Sequence, residues 1–207
     1  MKTSCALAFG LTLAALSNFA HSQNTIHDLV AAIDAGIIEV IELRGTGSST
    51  GSAIVGVIQN NSSRQVRINT TLANPLFLGN RSSRSRQNMI AFEIYQRDGG
   101  YYSSGRDSFI EVSRNARQSI TLVAYCADYE KDNPTSSDQF SIAPIPANLT
   151  IVSSKISAYK KANPSAEITI AAQVALWLGQ GLTPSQIRET FEFTAADEEQ
   201  ARRILRN

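Results

Sequence analysis

Residues 118–126, QSITLVAYC, form an apolar stretch of the length and pattern of a buried strand, and this stretch decides the fold class. Other short runs of strand type precede it in the chain. They are IIEVIELRG (37–45), SAIVGVIQ (52–59), RQVRINTTL (64–72), NMIAFEIYQ (88–96) and SFIEV (108–112). Polar turns separate them, including NNSS and RDGG, and the Asp-Gly pair of RDGG is typical of a tight hairpin.

About seven short strands at hairpin spacing, with no helix between them, predict an antiparallel β-sandwich of immunoglobulin-like type. The Cys…Trp…Cys core of antibody domains is missing, which excludes that subtype.

The period becomes helical after APIPAN (143–148), which predicts a C-terminal helical subdomain. LTIVSSKISAYKKA (149–162) and AEITIAAQVALWLGQG (166–181) each carry an apolar face, and two shorter helices begin at Thr183 and Thr194. TIHDLVAAIDAG (25–36) predicts one helix before the strands. The fold class is therefore mainly β with α, with a short helix and sandwich at 23–146 and a helical subdomain packed on it at 147–207.

The first 22 residues, MKTSCALAFGLTLAALSNFAHS, have the features of a secretory signal peptide. Lys2 is a basic n-region, a short apolar core follows, and Ala20 and Ser22 suit cleavage before Gln23. We therefore expect a secreted or cell-surface protein without a transmembrane segment. Cys5 would leave with the signal.

Composition argues against most catalytic classes. Loss of Lys2 brings the formal net charge from +1 to zero, which gives no reason to expect nucleic acid as a partner. After cleavage the chain holds one histidine, His27, and one cysteine, Cys126. We therefore expect no metal site, no cofactor and no catalytic residues, and we do not expect a turnover enzyme.

Cys126 has three interpretations. A free cysteine is most often a buried small hydrophobe. An odd cysteine in an exported protein can also pair with another chain through a disulfide. The third interpretation links it to Gln173, which shares a helical face with Ile170 and Trp177. A carboxamide in such apolar surroundings needs a partner, either a hydrogen-bonding group or a covalent one.

Tyr125-Cys126 at a strand end, followed by Ala172-Gln173-Val174-Ala175-Leu176-Trp177 on a helix, resembles the paired motifs of bacterial thioester domains, surface adhesin modules of the TQxA class. Cysteine precedes glutamine in that family too, with the cysteine on a β-sandwich and the glutamine on a helical subdomain. Ala172 and Leu176 stand where the family often has Thr and Ile.

The resemblance implies an internal thioester between Cys126 and Gln173 that captures a primary amine on a protein or glycan partner, for adhesion. Tyr125 and Trp177 would shield the thioester from water, and Asp128 or Tyr129 would assist proton movement. The alternative is a non-covalent immunoglobulin-like binding or assembly subunit, with a homo-oligomeric assembly partner and both residues merely packed.

Overall fold

The computed structural model describes residues 25–98, 101–102 and 108–207. The predicted signal peptide, with Cys5, lies outside the described residues.

Strands form most of the described chain before residue 144. In chain order they are β1 (Ile26–His27), β2 (Ile38–Gly45), β3 (Thr50–Asn60), β4 (Val66–Asn69), β5 (Thr71–Asn80), β6 (Met89–Asp98), β7 (Tyr101–Tyr102), β8 (Phe109–Val112), β9 (Arg117–Cys126) and β10 (Phe140–Ala143). The helices are α1 (Leu29–Asp34), α2 (Ala147–Ala162), α3 (Thr169–Gly179), α4 (Pro184–Arg188) and α5 (Ala195–Arg206).

The strands make two sheets in a sandwich-like arrangement. The smaller sheet has the order β1-β4-β8, and the larger has the order β10-β5-β6-β9-β3-β2, with β7 paired to β6. The pairs are antiparallel except β1 with β4. The predicted mainly β sandwich with a helical end is confirmed.

Strand β9 lies inside the larger sheet between β6 and β3, and this explains its continuous apolar run. Its side chains are buried on both faces, with Leu122 and Ala124 on one and Thr121 and Tyr125 on the other.

Several elements differ from the sequence prediction. The predicted strand at 64–72 is divided into β4 and the first residues of β5. The predicted helix at 25–36 is reduced to α1, because Ile26–His27 pairs with β4 and the Asp28 side chain caps the helix by accepting from Val30 N at 3.1 Å. Strand β5 was not predicted, since Asn74 and Pro75 interrupt its pattern and a register shift occurs there. The short strand β10 was also not predicted.

The helical end follows the predicted caps. Thr183 with Gln186, and Thr194 with Asp197, form capping boxes that start α4 and α5. Helix α3 is buried almost throughout, because α2, α5 and strands β3 and β9 all contact it. No helix in the described part of the chain is long and apolar enough to cross a membrane.

Candidate functional site

The end of β9 meets the middle of α3 through Cys126 and Gln173. The backbone N–H of Cys126 donates to Gln173 Oε1 at 2.8 Å, and Gln173 Nε2 donates to the carbonyl oxygen of Cys126 at 2.9 Å. Both donor–acceptor distances are those of ordinary hydrogen bonds. Residues 47 positions apart are thus brought into direct contact through hydrogen bonds, and the thioester predicted for this pair stays a prediction.

The sheet leaves an opening for this contact. The register of β3 against β9 ends at Thr50 opposite Tyr125, so β3 offers no strand partner to Cys126. The next residue, Ala127, points its N–H the other way, to Asn88 O at 2.9 Å. The Gln173 carboxamide therefore takes the place of a strand residue beside Cys126 and satisfies both of its backbone groups.

Both residues of the pair are buried: Cys126 is 1% exposed and Gln173 is 0% exposed. Burial, with a smaller contribution from the nearby Asp128 charge, raises the pKa of the Cys126 thiol to about 12. The unlinked thiol would stay protonated at neutral pH. Cys126 could not form a disulfide with another chain unless the structure around it opened.

Tyr125 precedes Cys126 on β9, and Trp177 lies one helical turn after Gln173 on α3. The Tyr125 ring is buried and packs at 5.6 Å from the ring of Phe92. Trp177, four residues after Gln173 on α3, makes edge contacts with Tyr129 and Phe191, each at 5.4 Å between ring centroids. Its buried indole Nε1 has no hydrogen-bond partner in the structure. These rings provide apolar cover on the α3 side of the site.

Asp128 forms a hydrogen-bond network with Asn88 and Lys131, and its predicted part in proton movement stays a prediction. Its Oδ2 accepts from Asn88 N at 2.9 Å, from Asn88 Nδ2 at 2.8 Å and from Lys131 Nζ at 3.0 Å. This network holds the loop after β9. Asp128 influences Cys126 through its charge, which opposes ionisation of the thiol.

His27 belongs to β1 and pairs with Ile68 of β4, in the smaller sheet. In the described part of the chain, no group of His, Cys, Asp and Glu side chains is arranged to hold a metal ion.

A second polar region, beside the first, was missed in the sequence. Glu93 of β6 is buried and forms a salt bridge with Lys160 of α2, with 3.2 Å between Oε2 and Nζ. The Tyr95 hydroxyl also donates to Glu93. The sequence feature that could have indicated this region is Glu93 itself. It is a charged residue in the mostly apolar stretch NMIAFEIYQ, and a charged residue should not be buried without a partner.

Comparison of the chain with protein-family models, with curated proteins and with solved structures gave no match.

Proposed function

We propose that this is an exported protein of the cell surface or extracellular matrix, in which Cys126 and Gln173 form an internal thioester for covalent adhesion. The observation that supports the proposal most directly is the docking of the Gln173 carboxamide on Cys126 inside a buried site. The proposal is supported further by Cys126 being the only cysteine in the described residues.

Formation of the thioester is a condensation that needs no cofactor. Cys126 Sγ attacks the side-chain carbonyl carbon of Gln173, the carbon–nitrogen bond breaks, and the amide nitrogen leaves as ammonia with the thiol proton. The hydrogen bond from Cys126 N–H to Gln173 Oε1 would withdraw electron density from that carbonyl and stabilise negative charge on its oxygen. Only the bond from Nε2 to the Cys126 carbonyl would be lost.

Capture then follows from the electrophilic acyl carbon. A primary amine on a protein or glycan partner attacks the Gln173 carbonyl, the carbon–sulfur bond breaks, and the sulfur takes a proton. The products are an amide on Gln173 and a free Cys126 thiol, so each molecule reacts once. Burial by Tyr125 and Trp177 would slow the competing attack of water.

A non-covalent binding or assembly subunit is the second candidate. It is favoured by a specific observation: both polar atoms of the Gln173 carboxamide are already hydrogen-bonded to Cys126. A buried glutamine that serves only to tie α3 to the end of β9 would have the same contacts.

The intact mass of the purified mature protein separates the two candidates. The thioester predicts a mass lower by one ammonia, no alkylation of Cys126 in denaturant, and a stable adduct with methylamine. The matched control is Cys126→Ala, which keeps the Gln173 hydrogen bonds to the backbone and should show its full mass and no adduct. A full wild-type mass with an alkylated Cys126 would exclude the thioester.

A further inference from the structure

A pocket of about 200 Å³ lies between the beginning of β3, strand β6 and the beginning of α3. Its lining includes Ser52, Glu93, Tyr95, Lys160, Glu167 and Thr169. The charged side chains come from β6, from α2 and from the segment just before α3. Together they surround a space large enough for a small ligand.

The charges in this pocket do not cancel. Lys160 neutralises Glu93 at the inner end, and its Nζ also donates to Ala166 O at 3.0 Å. Glu167 is exposed and forms no salt bridge within the described chain. Hydrogen bonds from Thr169 hold its carboxylate, with Thr169 N at 2.8 Å from Oε1. These bonds, with a smaller contribution from the charge of Lys160, lower the pKa of Glu167. One fixed negative charge is left at the opening.

The pocket is next to the Cys126–Gln173 pair. Thr169 lies four residues before Gln173 on α3, so both side chains project from the same face, about 6 Å apart along the helix axis. The methyl group of Thr169 also faces Gly51, where an added Cβ would lie at 3.6 Å from it. Thr169, which lines the pocket, therefore lies about one helical turn from Gln173.

We propose that this pocket is a recognition site for a second ammonium group of the captured partner. The inference rests on the proposed thioester. One ammonium binds Glu167, and a second amine, a few bonds away on the same molecule, attacks Gln173. The favoured substrates are then diamines, or peptides that carry two nearby lysines, and simple monoamines are captured less well.

Competition between putrescine and butylamine, at equal concentration and read by intact mass, tests the preference. The measured quantity is the ratio of the putrescine adduct to the butylamine adduct. Putrescine has two equivalent amines, so this ratio is about two without any specific contact. A charge-assisted contact with Glu167 should raise the ratio to about tenfold. Glu167→Gln should return the ratio to about two. Glu192→Gln, which removes an exposed carboxylate elsewhere in the helical end, should leave it unchanged. A wild-type ratio of about two, or a high ratio kept by Glu167→Gln, would overturn the proposal.

The pocket can be tested separately from the thioester. In the Cys126→Ala variant no thioester forms, and titration with putrescine should still shift the amide resonances of Gly51 and Thr169 in a saturable way. Glu167→Gln in that background should weaken binding about tenfold. If the variant binds putrescine saturably but the wild-type protein shows its full mass, without loss of ammonia, the thioester proposal fails and the pocket proposal stands. No saturable shift would refute the pocket itself.

Discussion

Gln173 completes the hydrogen bonding of Cys126 as a neighbouring strand would. Its carboxamide accepts from the Cys126 N–H at 2.8 Å and donates to the Cys126 carbonyl at 2.9 Å, at the point where β3 no longer runs beside β9. A side chain from the helical end is thereby joined to the larger sheet. The same contact is the starting geometry for the proposed thioester and an anchor for α3.

The anchoring role predicts a large loss of stability in Gln173→Ala. Two buried backbone groups would lose their partners, and each unsatisfied group costs about 1–3 kcal/mol. With the cavity that remains, we expect the free energy of unfolding to fall by about 3–5 kcal/mol. Urea denaturation in the Cys126→Ala background measures this contribution without any thioester.

Gln180→Ala is the matched control for this prediction. Gln180 Nε2 also donates to a backbone carbonyl after β9, that of Ala127 at 3.2 Å, but the side chain is only partly buried. Its removal should cost about 1 kcal/mol or less, because water can replace the bond. Equal losses in the two variants would contradict the anchoring role of Gln173.

The sequence allowed the sandwich to be predicted because its central strands have uninterrupted apolar patterns. The observed bounds of β2, β3, β6, β8 and β9 lie within two residues of the predicted ones. Strand β5 was missed because Pro75 and a register shift obscure its pattern. Strand β10 was also missed; its last residue, Ala143, begins the proline-containing stretch APIPAN. The first residues of the predicted helix at 25–36 pair instead with a strand distant in sequence, which local periodicity does not reveal.

For the candidate site, the sequence indicated that the Gln173 carboxamide needs a partner, either a hydrogen-bonding group or Cys126 through a thioester. It did not predict that the backbone of Cys126 would be that partner, since this depends on where β3 starts its pairing. The pocket around Glu93 and Lys160 was missed because the two residues are far apart in sequence and come from a strand and a helix.

Close packing of α2 on α3 predicts that Gly179→Ala is destabilising. At an ordinary helical position alanine is more favourable than glycine by about 1 kcal/mol. At Gly179, however, an added Cβ would lie 2.6 Å from Val152 Cγ2 and 2.8 Å from Val152 Cβ. We expect a loss of about 1–3 kcal/mol, measured by urea denaturation.

Gly79→Ala is the control for this substitution. Its nearest neighbours would be Ser141 O at 3.8 Å and Ala143 Cβ at 3.9 Å, which are ordinary contact distances. Its effect should stay within about 0.5 kcal/mol. A neutral or stabilising Gly179→Ala would mean that the two helices separate easily at this point.

The buried pair of Glu93 and Lys160 predicts a non-additive response to mutation. Lys160→Met removes the positive charge and leaves a carboxylate that is only 7% exposed, which should cost about 3–5 kcal/mol. Adding Glu93→Gln removes the unpaired charge, so the double variant should recover part of that loss. A double variant less stable than Lys160→Met alone would indicate that the two charges do not interact.

Stability at alkaline pH should depend on Tyr95. Burial, followed by the hydrogen bond and charge of Glu93, raises the pKa of Tyr95 above its ordinary value of 10.0. The unfolded chain therefore loses this proton first, and the stabilisation present below pH 10 is lost as the pH rises further. The slope per group is at most about 1.4 kcal/mol per pH unit.

Tyr95→Phe in the Cys126→Ala background tests this dependence. The background matters because burial also raises the pKa of the Cys126 thiol, from 9.0 to about 12, with the same effect on stability. At neutral pH the variant should be less stable by about 1 kcal/mol, for loss of the hydrogen bond to Glu93. Above pH 10 the difference in stability between parent and variant should shrink. Tyr95 ionises in the unfolded parent, which lowers the parent's stability, whereas the variant has no hydroxyl at this position. Parallel urea-denaturation curves from pH 8 to pH 11 would show that Tyr95 ionises equally easily in both states.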